Sequence, residues 1–422
     1  MSPDRPLHLF EAYGVELEYM IVDAGSLAVL PVTDKVLYEL AGQYVSQIDL
    51  PDLSWSNELV LHVIELKTAR PAAALEPLAR VFQEHVGRVN QILNPLGGRL
   101  MPSAMHPWMD PARQMRLWPH EYSPVYQAYD RIFDCRGHGW ANLQSVHLNL
   151  PFGDDQEFGR LHAAIRLLLP IMPALAASSP IVDGRPTGLL DSRLDVYRGN
   201  ARRVPSCTGL VIPEPVYTAE AYRREILQPM YDDIAPLDPD GILQDEFLNS
   251  RGAIARFDRG SIEIRVLDVQ ECPRADLAIC LAISRVLEAM VAQRWTDLKR
   301  QQSSATEPLA EILGTTTRDA DRAVIRDRAY LDHFGLRADA CTAGEVWTHL
   351  VESLGLLSAG PHPADENDWR EALRVILSQG PLARRILRCL PPGEAADRSA
   401  PVYRELCDCL ASGRMFLGCD RD

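Results

Sequence analysis

Acidic residues set into apolar strand patterns constrain this 422-residue chain more than any other feature it carries. Near its start runs Tyr13-Gly14-Val15-Glu16-Leu17-Glu18-Tyr19-Met20-Ile21-Val22-Asp23. Much later comes Gly260-Ser261-Ile262-Glu263-Ile264-Arg265-Val266-Leu267-Asp268. A strand turns successive side chains to opposite faces, so Glu16 and Glu18 share one face, as do Glu263 and Arg265. A carboxylate on a buried sheet face carries a desolvation cost that only a partner offsets. Several on one sheet suggest a metal-lined cleft.

The remaining patterns supply the rest of a sheet. Leu59 to Leu66 reads as a second strand, ended by Pro71, and Ala72 to Leu93 follows with helical spacing. Arg99 to Ala104 reads as a short strand. Gln144 to Leu150 alternates again, with Ser145, His147 and Asn149 on one face. Phe158 to Leu175 looks helical, and Ala275 to Trp295 reads as a strong amphipathic helix, core or interface. Ser178 to Val216, rich in Pro, Gly and Arg, reads as a long functional loop or lid. Alternating strands separated by helices predict an α+β fold: a mostly antiparallel, curved sheet with one polar face and helices on its outer face. The organisation expected is a catalytic core over 1–300 with a helical C-terminal part, 301–422, packed on it as one structural unit.

Bulk properties narrow the function classes. The formal net charge of −15 opposes capture by nucleic acid or anionic membrane. Nine scattered cysteines contain no C-x-x-C pair, which speaks against a zinc ribbon or disulfide scaffold. No apolar run is long enough to span a bilayer, and Met1 to Arg5 lacks the pattern of a signal segment, so a cytoplasmic setting is expected. Small-molecule substrates and an open oligomeric state, a homo-oligomer included, complete that expectation.

The polar residues that interrupt strands are Glu16, Glu18, Glu65, His147, Asn149, Glu263 and Arg265, with Glu58 just before the second strand. Hard divalent cations prefer carboxylate oxygens, and Mg²⁺ commonly bridges protein carboxylates to substrate phosphates. One imidazole among carboxylates suits Mg²⁺ or Mn²⁺ better than a structural zinc site. An arginine beside such a site can stabilise charge on a phosphoryl group. Neither a G-x-x-x-x-G-K-[ST] loop nor a G-x-G-x-x-G fingerprint is present, so an ATP site here is built from strands and metals.

Six segments, in order, resemble the glutamate–cysteine ligase-like carboxylate–amine ligases. Gly14 to Asp23 is similar to their "GVEEEFMLVD" strand, and Ile64 to Pro71 to "VEISTPP". Arg99 to Trp108 is similar to "LLPAGTHPF", and Ser145 to Leu150 to "SVQVNLD". Asp195 to Arg198, with Pro205 to Gly209, resembles a "SYR…PTSG" loop, and Gly260 to Asp268 resembles "GTIEVRVCD". The resemblance implies a glutamine synthetase-like catalytic core. It also implies ATP-dependent ligation, in which a carboxylate, the γ-carboxylate of L-glutamate in the best-known members, becomes an acyl phosphate that an amine such as L-cysteine attacks. By motif it makes Glu16, Glu18, Glu65, His147 and Glu263 Mg²⁺ ligands and turns Arg265 toward the transferred phosphoryl group. Arg256, Arg198 and Asn149 become candidates for nucleotide or carboxylate recognition. Ser145 stands where other members carry a first histidine. Glu58 matches an acidic position of some members, yet strand parity puts it opposite Glu65 unless a bend intervenes.

Plainer readings compete with each residue. Glu16 and Glu18 suit the solvent face of an edge strand, Glu263 and Arg265 a structural ion pair, and His147 a hydrogen-bonded core histidine. The Arg198 to Arg203 cluster suits a solvated turn as well as an anionic substrate. His62 and His106 take the structural reading, and the chain is also compatible with an inactive nucleotide-binding scaffold or a ligase of a specialised pathway.

Overall fold

A computed structural model describes residues 5–358, 368–390 and 399–419. Its centre is strand β1 (Gly14–Asp23), whose first half alternates between faces while Tyr19 to Val22 are buried throughout. That change matches the sequence, where alternation gives way to a continuous apolar run. Around β1 lie β2 (Gln47–Asp49), β3 (Leu53–Asn57), β4 (Val63–Thr68), β5 (Gly98–Met101) and β6 (Ser145–Pro151). A small hairpin, β7 (Ile181–Val182) and β8 (Arg185–Pro186), stands apart, and β9 (Ala253–Arg256) and β10 (Ser261–Asp268) complete the main sheet. The order is β2-β3-β4-β1-β6-β10-β9, with β5 paired to the distal end of β1. All of these pairings are antiparallel.

Three expectations about elements change. The strand expected over Leu59 to Leu66 begins only at Val63. Leu59 and Leu61 instead bond with Trp118 and Arg116, so the apolar alternation of 59–61 is satisfied by a different partner. The first long helix, α1 (Leu78–Leu93), starts six residues later than expected, because Ala72 pairs with Tyr13 across two backbone hydrogen bonds of 2.8 Å. The stretch Ser178 to Val216 is not a long open loop. It holds the β7–β8 hairpin and a helix, and Ser178, Ser179 and Asp191 to Leu194 are buried.

Helices cover the face of the sheet away from the polar side chains. Helix α1 packs on β3 and β5. Helix α2 (Asp155–Leu168) and helix α1 both pack against α3 (Pro273–Val291). Helix α3 is buried on nearly every side, which settles the core-or-interface alternative in favour of core. Beyond it, α4 (Trp369–Gln379) packs on α3, and α5 (Ala400–Ser412) packs on β5 and α1. One large apolar core runs from Tyr13 to Phe416, with a small separate cluster of Ala177, Leu190, Ala320 and Ala383. Among the described residues no helix is long and apolar enough to cross a membrane, and none of the nine cysteines is paired with another.

Candidate active site

Register decides which polar side chains meet. On β1, Glu18 stands opposite Glu65 of β4, and Glu16 stands opposite Lys67 of β4 and His147 of β6. Asn149 of β6 stands opposite Gly14 on one side and Glu263 of β10 on the other. A Cβ at Gly14 would sit 3.0 Å from that of Asn149, so the small residue lets the amide side chain lie across β1. Asn149 then donates to Glu16 Oε1 at 3.0 Å. These side chains line one cleft of about 1040 Å³.

The β10 strand contains a bulge. Ile264 pairs with Leu148 and Leu267 with Val146, which leaves Arg265 and Val266 together facing His147. The extra residue reverses the parity of everything after it. Asp268 therefore falls opposite Ser145, on the polar face, where Ser178 N and Ser179 Oγ both donate to it at 2.8 Å. Arg193 lies 3.4 Å from Asp268 and donates to the Arg265 carbonyl at 2.9 Å, bracing the bulge.

Around His147 the contacts are dense. Its Nδ1 lies 3.0 Å from Glu16 and 3.7 Å from Glu263, and its Nε2 lies 2.9 Å from Ser145 Oγ and 3.7 Å from Glu18. Ser145 also donates to Glu18 through both its backbone N–H (2.7 Å) and its hydroxyl (2.9 Å). Burial alone would lower the His147 pKa, but the Glu16 hydrogen bond and the surrounding carboxylates raise it to about 9. Burial would raise Glu16 and Glu263, yet His147 for the first and Arg265 for the second hold both below the usual carboxylate range. At Glu58 the balance goes the other way, although Lys67 and His147 oppose the rise. Burial, then Glu18 and Glu65, push its carboxyl well above that range.

Two sets of ligand atoms are close enough to share an ion: Glu16, Glu65 and His147, and Glu18, Glu58 and Glu65, each within 4.8 Å. The donor set, carboxylates with a single imidazole, is that of Mg²⁺ or Mn²⁺. The residues thus fit a divalent cation. Glu263 stands outside both sets, with Arg265 Nε 3.0 Å from its Oε1 and Arg256 3.9 Å from its Oε2.

Most residues singled out in the sequence reach this cleft, including Glu58, because the connection after Asn57 supplies the bend that parity demanded. Arg198 does not line it. It is half-exposed on the helix Ser192–Gly199 beside Asp195 at 3.8 Å, while Arg193, Tyr197 and Asn200 of that region face the cleft. Arg256 lines the cleft and also faces Glu246 and Asp258, at 3.7 and 3.6 Å. His62 and His106 are structural, bonded to the carbonyls of Ala141 (2.9 Å) and Leu27 (2.8 Å). Sequence reasoning missed Ser56, Lys67 and Arg193. Lys67 had a signal, since it shares the strand parity of Glu65.

The fold is that of the glutamate–cysteine ligases and glutathione synthetases. The fold is shared with a bifunctional glutathione synthetase from Pasteurella multocida (TM-score 0.62, 14% identity, 94% of this chain and 53% of that one). It is shared as well with a glutamate–cysteine ligase from Francisella tularensis solved with AMP (TM-score 0.58, 13% identity, 97% and 90%). The sequence pattern of Glutamate-cysteine ligase family 2 matches residues 12–405, and the chain belongs to that family. An uncharacterized protein of Archaeoglobus fulgidus is 35% identical over 341 residues, 79% of this chain and 91% of its own. A protein of Rubrobacter xylanophilus, named provisionally as glutamate–cysteine ligase 2-3, is 29% identical over 44% of this chain. The chain spans about half the length of the Rubrobacter and Pasteurella proteins, 47% and 53%.

Proposed function

We propose that this protein is an ATP- and Mg²⁺-dependent ligase that activates a carboxylate, such as the γ-carboxylate of L-glutamate, and joins it to an amine. The observation that carries this is the convergence of five glutamates, one histidine and Arg265 on a single sheet face, in a chain of this ligase family. The AMP bound by the Francisella ligase supports a nucleotide site in the shared fold.

In this reading a substrate carboxylate oxygen attacks the γ-phosphorus of ATP, and ADP leaves. The amine then attacks the acyl carbon, the carbon–oxygen bond to phosphate breaks, and the amine loses a proton. Glu16, Glu18, Glu58, Glu65 and His147 would hold divalent cations, which supply charge neutralisation for the triphosphate when bound. Arg265, held against Glu263 and aimed by the bulge, stabilises the phosphoryl group in flight. Arg256 and Asn149 line the wall where the nucleotide or the acid is oriented. The aromatic wall of Tyr126, Tyr129 and Trp140 excludes water from the acyl phosphate.

The test is ADP and product formation with ATP, Mg²⁺ and a panel of acid–amine pairs that includes L-glutamate with L-cysteine. Glu16→Gln and Glu263→Gln are expected to lower ADP formation by about 100-fold or more with the fold intact. Normal turnover in both variants would overturn the assignment. Mg²⁺–ATP binding with no ADP from any pair would favour a scaffold instead.

A further inference from the structure

Glu65 is the one residue common to both ion-binding sets. Its Oε2 is already engaged: Lys67 Nζ lies 2.7 Å away and Ser56 Oγ donates to it at 2.6 Å. Strand alternation puts Lys67 on the same face as Glu65, and its Cα stands opposite Glu16 on β1 and Ser54 on β3. Glu16 of β1 and Glu58 of the connection after β3 also act on this ammonium. A carboxylate that bridges two cations offers each of them an oxygen, as in two-metal sites. With Lys67 and Ser56 on Oε2, only Oε1 remains.

We propose that Lys67 is a tethered cation that limits Glu65 to a single metal contact, and so sets how many divalent ions the cleft takes before nucleotide arrives. Lysine suits this work because its ammonium is a compact point charge on a flexible stem. Glu65 is buried while Lys67 keeps partial access to solvent, so the lysine can swing away when substrate phosphates compete for it. The inference rests on the metal reading of the cleft.

The experiment titrates the full-length, nucleotide-free protein with Mn²⁺ alone, counting bound ions by electron paramagnetic resonance and following thermal melting in parallel. Lys67→Met is expected to bind about one more ion per chain than wild type, and to gain more in melting temperature from Mn²⁺. Lys67→Arg, which keeps the charge, is expected to keep the wild-type count. Equal counts in wild type and Lys67→Met would overturn the proposal, even if the variant binds more tightly, since any removed positive charge tightens a cation site. Absence of bound Mn²⁺ in both proteins would overturn the metal reading itself, and this inference with it.

Discussion

Glu58 carries the conflict built into an acidic site. Burial and its neighbours Glu18 and Glu65 lift its carboxyl well above the usual range, against the pull of Lys67 and His147. Removing that charge relieves the metal-free protein while taking away a ligand. Glu58→Gln is therefore expected to move two observables in opposite directions: melting temperature without metal up by about 2 °C, and Mn²⁺ affinity down by about tenfold. A variant weaker in both would show that Glu58 is structural. The other acids were legible before any fold was known, because Glu16 and Glu18, like Glu263 and Arg265, are two residues apart on one strand and must share a face. Glu58 was not, because its place depends on where β3 ends and how the connection to Val63 turns.

At the scale of elements the bulge in β10 does the most. Without the doubled Arg265–Val266 position, Asp268 would point into the apolar layer behind the sheet. With it, Asp268 accepts from Ser178 and Ser179 and faces Arg193. Asp268→Asn is expected to destabilise the protein by about 1–3 kcal/mol in denaturant melts, because an amide NH2 cannot accept the hydrogen bonds that Ser178, Ser179 and Arg193 give the two carboxylate oxygens. A loss below about 0.5 kcal/mol, the size of an ordinary surface change, would show that the network behind the bulge is dispensable. The sequence held a sign of this in the two adjacent apolar residues Val266-Leu267, which break the alternation. The same local rule misread Leu59 to Leu66, where alternation was real but the pairing partner was the 116–118 segment.

Across the whole molecule the helical C-terminal part is woven into the core. Helix α4 packs on α3, and Arg385 pairs with Glu271 and with the Phe416 carbonyl in full burial. A chain cut after residue 300 is expected to be insoluble or unfolded rather than a free catalytic core. A cooperative thermal transition in the 1–300 fragment would refute this. Buried histidines add a pH limit. Burial drives the pKa of His62 and His106 down to about 4 and that of His162 to about 3. In the unfolded chain each protonates below about 6.5. The stability linked to these groups is fully present above that pH and is lost as pH falls toward the folded values. Groups held above their usual range, Glu58 and His147 among them, act in the opposite sense, so the expected signature is a comparison: between pH 7 and pH 5 the wild type loses more melting temperature, or gains less, than His162→Gln. Parallel profiles in wild type and His162→Gln would mean that the folded protein also admits that proton.

Alternation and composition alone express an antiparallel sheet with one acidic face, helices behind it, and the identity of most side chains on that face. These follow from covalent geometry, since neighbours two apart on a strand have no choice of side. The tertiary structure alone decided that Glu58 joins the cluster, that Arg193 rather than Arg198 reaches the cleft, and that Lys67 and Ser56 occupy one oxygen of Glu65. Those facts depend on register, a bulge and a turn. Each is settled by hydrogen-bond partners distant in the chain, which no local pattern encodes.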